Sequence, residues 1–273
     1  MQYEYLNKAL MPGEHDFAII DRGRYPSVCE SWPVLELVSP MLQPQAHLYP
    51  WLLPLKDMRS NDWNMLIREL GQAISPAVSP ASCLLLRSDK PIPEVRSQLI
   101  RALYFTDENH QGHILRWYDP RVLFHLFWMF SAEQLMTLLP VGLASCWTLW
   151  LEGKWYSLVT RPLPGTTAMP EYVLWTMRMR LQNISLINGV LTDRPPVSNV
   201  IERLHTCRQI ETLLIQAREF GLEQRSDLMA FASSVLEHGD KFWQAPDVQE
   251  ILRLSVSTPG YFSRWVNSLR YRE

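Results

Sequence analysis

The loop at residues 107–113 contains the side chains that are best placed to bind a metal ion. Asp107, Glu108, His110 and His113 lie close together there, and imidazoles and carboxylates in one loop can converge on a cation. A polar loop between two strands has the same composition without any ligand. The sequence therefore favours a solvated hairpin loop, with a metal site as the alternative.

Motifs of common catalytic and nucleotide-binding sites are absent from the sequence. It contains no GxxxxGK(S/T) or GxGxxG loop for a phosphate group, no HExxH zinc site and no GxSxG nucleophile turn. Serine, histidine and aspartate from distant positions can still meet in a fold. We therefore expect a protein that is not an enzyme and that has no cofactor or metal. A hydrolase or transferase built from dispersed residues is the alternative.

Net charge and cysteine spacing exclude further classes of function. The chain has 26 Lys and Arg against 28 Asp and Glu, so no positive field attracts nucleic acid or anionic lipid. The four cysteines, Cys29, Cys83, Cys146 and Cys207, are too far apart to form a CxxC pair. They are typical of buried thiols in a reducing cytosol.

The sequence also argues against export and against insertion into a membrane. Residues 1–16 carry charges and have no apolar core of the length that a signal peptide requires. Residues 134–151 are uncharged, but Pro140 and Gly142 interrupt them. These interruptions favour a helix end followed by a strand over a membrane span. We expect a cytoplasmic protein.

The order of the predicted elements indicates an α+β (mixed α/β) fold, with an N-terminal sheet layered with helices and a small all-helical C-terminal lobe. The predicted strands are 17–21, 34–38, 48–55 and 83–86, with hairpins at 104–118 and 146–159. The predicted helices are 62–73, 93–103, 200–220, 227–237 and 246–255, with a last one from Thr258. The predicted domains are an α/β domain at 1–161, a connecting segment at 162–199 and a helical lobe at 200–273. Residues 171–187 carry conflicting signals, so their structure is left open.

Residues 114–118 form the start of a junction between a strand and a helix. Leu115 and Trp117 fall on one face of an extended segment, which is the two-residue period of a half-buried strand. Asp119 is then suited to cap a helix, because its carboxylate can accept a free backbone N–H of the first turn. Pro120 is suited to the first helical position, where its missing N–H costs nothing. A helix is therefore predicted to start here.

The predicted helix has apolar side chains on nearly every face between Val122 and Phe130. Such a helix is expected to be covered by the sheet on one side and by another layer on the other. Alternatively, Phe124, Trp128 and Met129 form a groove for an apolar segment of a partner. His125 is predicted to be a hydrogen-bonded core histidine rather than a metal ligand.

The segment RWYDPR at residues 116–121, followed by a hydrophobic helix, resembles the effector adaptor chaperones of the bacterial type VI secretion system. That family was long catalogued only as a domain of unknown function. The resemblance extends to the predicted strands at 17–21, 48–55 and 83–86. It implies a protein that is not an enzyme and that binds a toxic effector and helps to mount it on the VgrG spike before export.

Two interpretations of the charged residues in this segment are open. Arg116 and Arg121 flank Asp119, so a local ion pair or a cap network is expected for all three. If the residues shared by the family instead form a docking surface, then Arg116, Tyr118, Asp119 and Arg121 are the ones that match here.

Eleven tryptophans are more than a chain of this length usually carries. Aromatic side chains supply large contact areas and favour binding surfaces as well as cores. In the C-terminal lobe, Trp243, Phe262 and Trp265 are therefore candidate partner contacts, although a small helical lobe also needs an aromatic core.

The sequence and the resemblance together predict a cytoplasmic bacterial adaptor chaperone without enzymatic activity. Its expected partners are a type VI secretion effector and the VgrG spike protein, and neither nucleic acid nor membrane insertion is expected. An immunity protein that neutralises a toxin is the alternative among binding proteins.

Overall fold

The chain has the predicted α+β fold. The computed structural model describes residues 2–23, 25–72, 80–161, 175–196 and 199–270. It divides into two compact units, residues 1–178 and residues 179–273. In the described part of the first unit, helices accompany an antiparallel sheet, whereas the regular elements described in the second unit are α-helices and a short 3-10 turn.

The first unit contains strands β1 (Gln2–Tyr5), β2 (Phe17–Ile20), β3 (Leu35–Glu36), β4 (Trp51–Pro54), β5 (Ser82–Arg87), β6 (Tyr104–Thr106), β7 (Gly112–Ile114), β8 (Cys146–Leu151) and β9 (Lys154–Arg161). Its helices are α1 (Ser60–Gln72), α2 (Ile92–Arg101), α3 (Pro120–Met129) and α4 (Ala132–Leu138). Helix α5 (Trp175–Thr192) begins in the first unit and ends in the second. The second unit contains α6 (Val200–Glu219), α7 (Arg225–His238), α8 (Pro246–Ser257) and α9 (Tyr261–Arg270).

The main sheet has the strand order β1-β9-β8-β5-β2-β4-β3, and each neighbouring pair is antiparallel. Strands β6 and β7 form a separate hairpin. The strands predicted near β2, β4 and β5 are confirmed, while the one predicted at 34–38 is reduced to the two residues of β3. Strand β1 is absent from the predicted strands, because its four residues are too short a segment to indicate a strand without the pairing with β9.

Both faces of the sheet carry apolar side chains. On one face, Leu66 and Leu70 of α1 pack in a cluster with Ala18 and Leu53. Strand register places Trp147 of β8 on the opposite face, where its ring lies 6.2 Å from that of Phe127 in α3. The central strands are consequently buried along their length.

The tight turn between β8 and β9 was predicted from its sequence. Leu151 pairs with Lys154, which leaves Glu152 and Gly153 as a two-residue loop. Both loop residues have positive φ angles, 50° and 87°. This is the backbone geometry that suits the twist of an antiparallel hairpin, and glycine adopts it without steric cost.

Helix α5 corrects the prediction that a connection begins at Asn188. The helix continues to Thr192 and includes Gly189, a residue that usually weakens a helix. A side chain at Gly189 would place its Cβ 2.4 Å from the methyl group of Met229 in α7. The glycine therefore permits close packing, which local sequence does not reveal. Residues 162–174 and 197–198 of the predicted connecting segment lie outside the described residues.

The helices predicted beyond residue 199 are confirmed with small shifts of their ends. The Asn199 side chain caps α6 by accepting the backbone N–H of Glu202 at 2.9 Å. Gly221 follows this helix with a φ of 82°, as expected of a glycine after a helix end. Helix α9 begins at Tyr261 rather than at Thr258.

The uncharged stretch at 134–151 folds as predicted, with α4 ending at Leu138 and β8 beginning at Cys146. No helix within the described residues is long and apolar enough to cross a membrane. Cys146 and Cys207 are buried thiols, as predicted, whereas Cys83 is half-buried.

A chain of buried hydrogen bonds links β8 and β9 to the segment before β2. His15 Nδ1 lies 3.1 and 3.2 Å from the carbonyl oxygens of residues 11 and 12. Carbonyl oxygens only accept, so Nδ1 carries the proton and Nε2 accepts from Thr148 Oγ1 at 2.7 Å. Thr148 in turn accepts from Ser157 Oγ at 2.6 Å, and the Leu10 N–H donates to Ser157. These donor and acceptor assignments are consistent along the whole hydrogen-bond network.

We expect this network to make stability depend on pH. Burial lowers the pKa of His15 from its usual value of 6.5. The neutral ring is therefore favoured in the folded chain, and its contribution to the free energy of unfolding is complete above pH 6.5. That contribution should be lost as the pH falls from there through the lowered pKa. Urea unfolding of the wild-type chain across this range measures the effect.

The matched variant for this prediction is His15→Gln, which removes the titrating group. It should be less stable than the wild type at neutral pH and should show a weaker loss of stability as the pH falls. An unchanged pH dependence in the variant would assign the effect to other groups.

A cleft at one end of the sheet

The residues before α3 form a turn rather than the predicted continuation of a strand. Strand β7 ends at Ile114, and the Asp119 N–H then bonds to the Arg116 carbonyl oxygen at 3.0 Å. The predicted alternation of faces is nevertheless present, because Leu115 and Trp117 are buried and Arg116 is exposed. Burial of alternate side chains thus continues beyond the last strand pair.

Asp119 caps α3 as predicted. Its Oδ1 accepts the Arg121 backbone N–H at 2.9 Å, and Pro120 occupies the first turn. The Arg121 side chain also forms a two-pronged pair with this carboxylate, with bonds of 3.0 and 2.8 Å. Those bonds raise the pKa of Arg121 above its usual value. The pair fixes the direction of the Arg121 side chain at the start of the helix.

Arg116 does not join this ion pair, which corrects the prediction of one network for all three charged residues. Its guanidinium lies over the ring of Tyr118, 5.7 Å from the ring centre. The Tyr118 hydroxyl donates to the carbonyl oxygen of Leu48 at 3.3 Å. Burial raises the pKa of this hydroxyl, so it stays protonated as a donor at neutral pH. The hydrogen bond of the hydroxyl fixes the Tyr118 ring, and the Arg116 guanidinium lies over this ring.

One cleft in the first unit, with a volume of about 370 Å³, is lined by four side chains of the RWYDPR segment, Arg116, Tyr118, Asp119 and Arg121. The cleft lies where β2 and β8 end and where β4 and β5 begin, because these antiparallel neighbours share one end of the sheet. Its wall is completed by residues from four other segments, which are Ile19, Asp21, Arg22, Gly23, Leu48, Tyr49, Pro50, Cys83, Trp150, Leu151 and Glu152. Together with Pro120, these segments line the cleft with both polar and apolar residues.

Arg22 forms the side of the cleft that comes from the loop after β2. It bonds to Glu36 at 2.8 Å and to the carbonyl oxygen of Ala46 at 3.1 Å. Its guanidinium also lies 5.0 Å from the centre of the Trp51 ring. The charge of Arg22 is therefore engaged within the protein, as is that of Arg121.

Residues 17–137 match the model of a family described as a domain of unknown function, DUF4123. The matched segment runs from β2 into α4 and includes the whole RWYDPR segment. The family is associated with effectors of the type VI secretion system. Searches of curated proteins and of solved structures gave no match.

The segment that matches this family model includes α3, whose candidate contact residues are mostly enclosed. Phe124 and Met129 are buried, which agrees with a central helix that is covered on its faces. Trp128 is half-buried, and its indole N–H donates to Nδ1 of the buried His125 at 3.0 Å. His125 is thus a hydrogen-bonded core histidine, as predicted. A partner could reach Phe124 or Met129 only if α3 were uncovered, so a groove on this helix remains a prediction.

The candidate contacts of the second unit belong to an aromatic cluster within that unit. Phe262 is buried, and the centre of its ring lies 5.8 Å from that of Trp265. The ring centres of Trp243 and Phe220 are 5.3 Å apart. Trp243 and Trp265 are half-buried. Packing inside the helical unit accounts for all three predicted residues, and any contact with a partner would use the exposed edges of the two tryptophans.

The loop at 107–113 forms the predicted hairpin and its residues 109–112 are exposed, but Asp107 is buried. The Asp107 side chain is 0 % exposed and accepts bonds from His113 at 2.9 Å and from Arg178 at 2.6 Å. The bond from His113, together with backbone donors, holds the pKa of Asp107 well below its usual range. No group of metal-binding side chains occurs within the described residues. Asp107 thus connects the hairpin to Arg178 in the first turn of α5.

Sequence reasoning finds the five cleft residues that are contiguous in the chain and misses the other eleven described residues that line it. Leu48, Arg22 and Trp150 come from segments that are distant in sequence and meet only through the strand order. Leu48 was interpreted as the start of a strand, whereas it ends a 3-10 segment before β4. No local pattern connects these positions with the RWYDPR segment.

Proposed function

We propose that this chain is a non-enzymatic adaptor chaperone that binds a type VI secretion effector and aids its loading onto the VgrG spike. The observation that carries the proposal is the convergence of Arg116, Tyr118, Asp119 and Arg121 on one cleft. These residues lie within the segment that matches a family associated with such effectors. A binding role agrees with a cleft whose charged groups are held by stacking and by ion pairs.

The adaptor would act by reversible binding. Side chains that are already held in place lose little conformational freedom when a partner binds. Tyr118 and Arg121 are both held in this way by hydrogen bonds. The cleft then covers part of the effector until the complex reaches the spike, and release requires no covalent step.

The first test is capture of partners from the native host. The tagged chain should co-purify with a toxin-like protein and with VgrG, identified by mass spectrometry. The captured effector should be poorly soluble when it is expressed alone and soluble when it is expressed with this chain. Equal solubility in both cases would contradict the chaperone role, and capture of neither protein from cells that express both would contradict the adaptor role.

A charge reversal at the cleft tests where the effector binds. Arg116→Glu should reduce recovery of the effector by about tenfold or more, since truncating a central interface arginine commonly costs about 2 kcal/mol or more. Arg101→Glu is the matched control, because Arg101 is an exposed arginine of α2 that does not line the cleft. Equal loss in both variants would indicate a general charge effect instead of a site.

A further inference from the structure

Arg116 differs from the other two arginines that line the cleft. Arg22 and Arg121 each have a carboxylate partner at 2.8 Å, Glu36 and Asp119 respectively. Within the described parts of the chain, Arg116 has no carboxylate within ion-pair distance. Arg116 is exposed and its guanidinium lies on the Tyr118 ring, an arrangement that positions the group for a planar acceptor.

An exposed apolar side chain lines the same cleft as this arginine. Leu48 is 59 % exposed and also lines the cleft. Its carbonyl oxygen accepts the hydroxyl of Tyr118, the residue on which Arg116 stacks. Tyr118 thus contacts both the Arg116 guanidinium and the backbone of Leu48, and a positive charge without a carboxylate partner lines the same cleft as an exposed leucine.

The remaining charges of the cleft limit what can bind there. Asp21, Asp119 and Glu152 also line it, so a strongly acidic segment would be repelled. The volume of about 370 Å³ is near the lower end of the range of about 300–1,000 Å³ for pockets that enclose a small ligand. The cleft therefore suits a short segment with one carboxylate more than a highly charged one.

We propose that this cleft binds an extended segment of the partner protein, in which one carboxylate side chain pairs with Arg116 and a neighbouring large apolar side chain covers Leu48. The inference rests on the adaptor function proposed above and specifies the chemistry that the partner presents. Pairing would use the planar fork of the guanidinium, and burial of Leu48 would exclude water from the pair.

A panel of fluorescein-labelled hexapeptides tests this inference on the purified full chain. Each peptide carries one Glu next to Leu, Phe or Trp on either side, with polar uncharged residues elsewhere and blocked ends. Each has a twin in which Gln replaces Glu. At least one Glu peptide should bind about tenfold more tightly than its twin, as measured by fluorescence anisotropy, which corresponds to about 1.4 kcal/mol.

Three variants assign the discrimination to specific side chains. Arg116→Ala should abolish the difference between the twins, and Arg116→Lys should retain part of it, because lysine keeps the charge but not the planar fork. Leu48→Ser should weaken the binding of the Glu peptide and of its Gln twin by a similar factor. Arg101→Ala should change neither affinity. Thermal unfolding of each variant confirms that the exposed positions leave the fold intact.

The proposal would be overturned if the twins bind equally to the wild type, if none binds up to about 1 mM, or if Arg116→Ala still discriminates. The peptide result is independent of effector capture. Capture without discrimination retains the adaptor function and rejects this site, whereas discrimination without capture retains the site and rejects the adaptor function.

Discussion

Replacing Trp117 with alanine is expected to lower the free energy of unfolding by about 3–5 kcal/mol, the usual cost of removing a large buried aromatic side chain. The Trp117 side chain is 0 % exposed and is one of the largest fully buried side chains of the chain. It lies between Arg116 and Tyr118, so its loss would also disturb the turn that supplies the cleft. Urea unfolding of the full-length chain measures the change.

The control variant for this prediction is Trp117→Phe. The indole N–H of Trp117 has no hydrogen-bond partner among the described residues, so phenylalanine removes no bond that the structure shows there. Trp117→Phe should lower the free energy of unfolding clearly less than Trp117→Ala does. A loss below about 1 kcal/mol for alanine would mean that the site collapses around the smaller side chain, contrary to the usual behaviour of packed cores.

Replacing Asp227 with alanine is expected to destabilise the second unit by roughly 2–4 kcal/mol, because hydrogen bonds to a charged group contribute about 1.5–3 kcal/mol each. Asp227 lies in the first turn of α7 and is buried. Its two carboxylate oxygens accept the backbone N–H groups of Gly260 at 2.6 Å and Ser263 at 2.8 Å. Alanine would leave both donors at the start of α9 without this acceptor.

Hydrogen exchange in the full-length chain measures this effect locally. The amides of Gly260 and Ser263 should exchange much faster in Asp227→Ala than in the wild type, with a smaller increase in Asp227→Asn, which retains one acceptor oxygen. Unchanged exchange at both amides would show that water replaces the carboxylate at no cost. The amides of α3 in the first unit are the internal reference.

Local signals made the start of α3 and the β8–β9 turn predictable. Asp119 and Pro120 determine a helix start through contacts within one turn of the chain. Glu152 and Gly153 similarly define a turn by their own backbone preferences. Such features depend on neighbours in sequence, so they can be inferred without knowledge of the fold.

The features that were missed depend on partners that are distant in sequence. Strand β1 forms by pairing with β9. The glycine at position 189 leaves room for the Met229 side chain, which approaches this part of α5. The sequence predicts a solvated loop around Asp107, yet this side chain is buried and pairs with Arg178 of α5. Eleven of the sixteen described residues that line the cleft are missed for the same reason, since segments such as those of Leu48 and Trp150 reach it only through the strand order.

The strand order also constrains how the first unit can assemble during synthesis. Strands β2, β4 and β5 are neighbours in the sheet and are synthesised before β8 and β9. The other edge of β5 cannot pair until β8 has been synthesised, and β1 cannot pair until β9 has been synthesised. Gln2 has no pairing partner until Arg161 has left the ribosome. The nascent chain therefore exposes an apolar sheet edge at β5 while residues 88–145 are synthesised, a state in which edge-to-edge aggregation competes with folding.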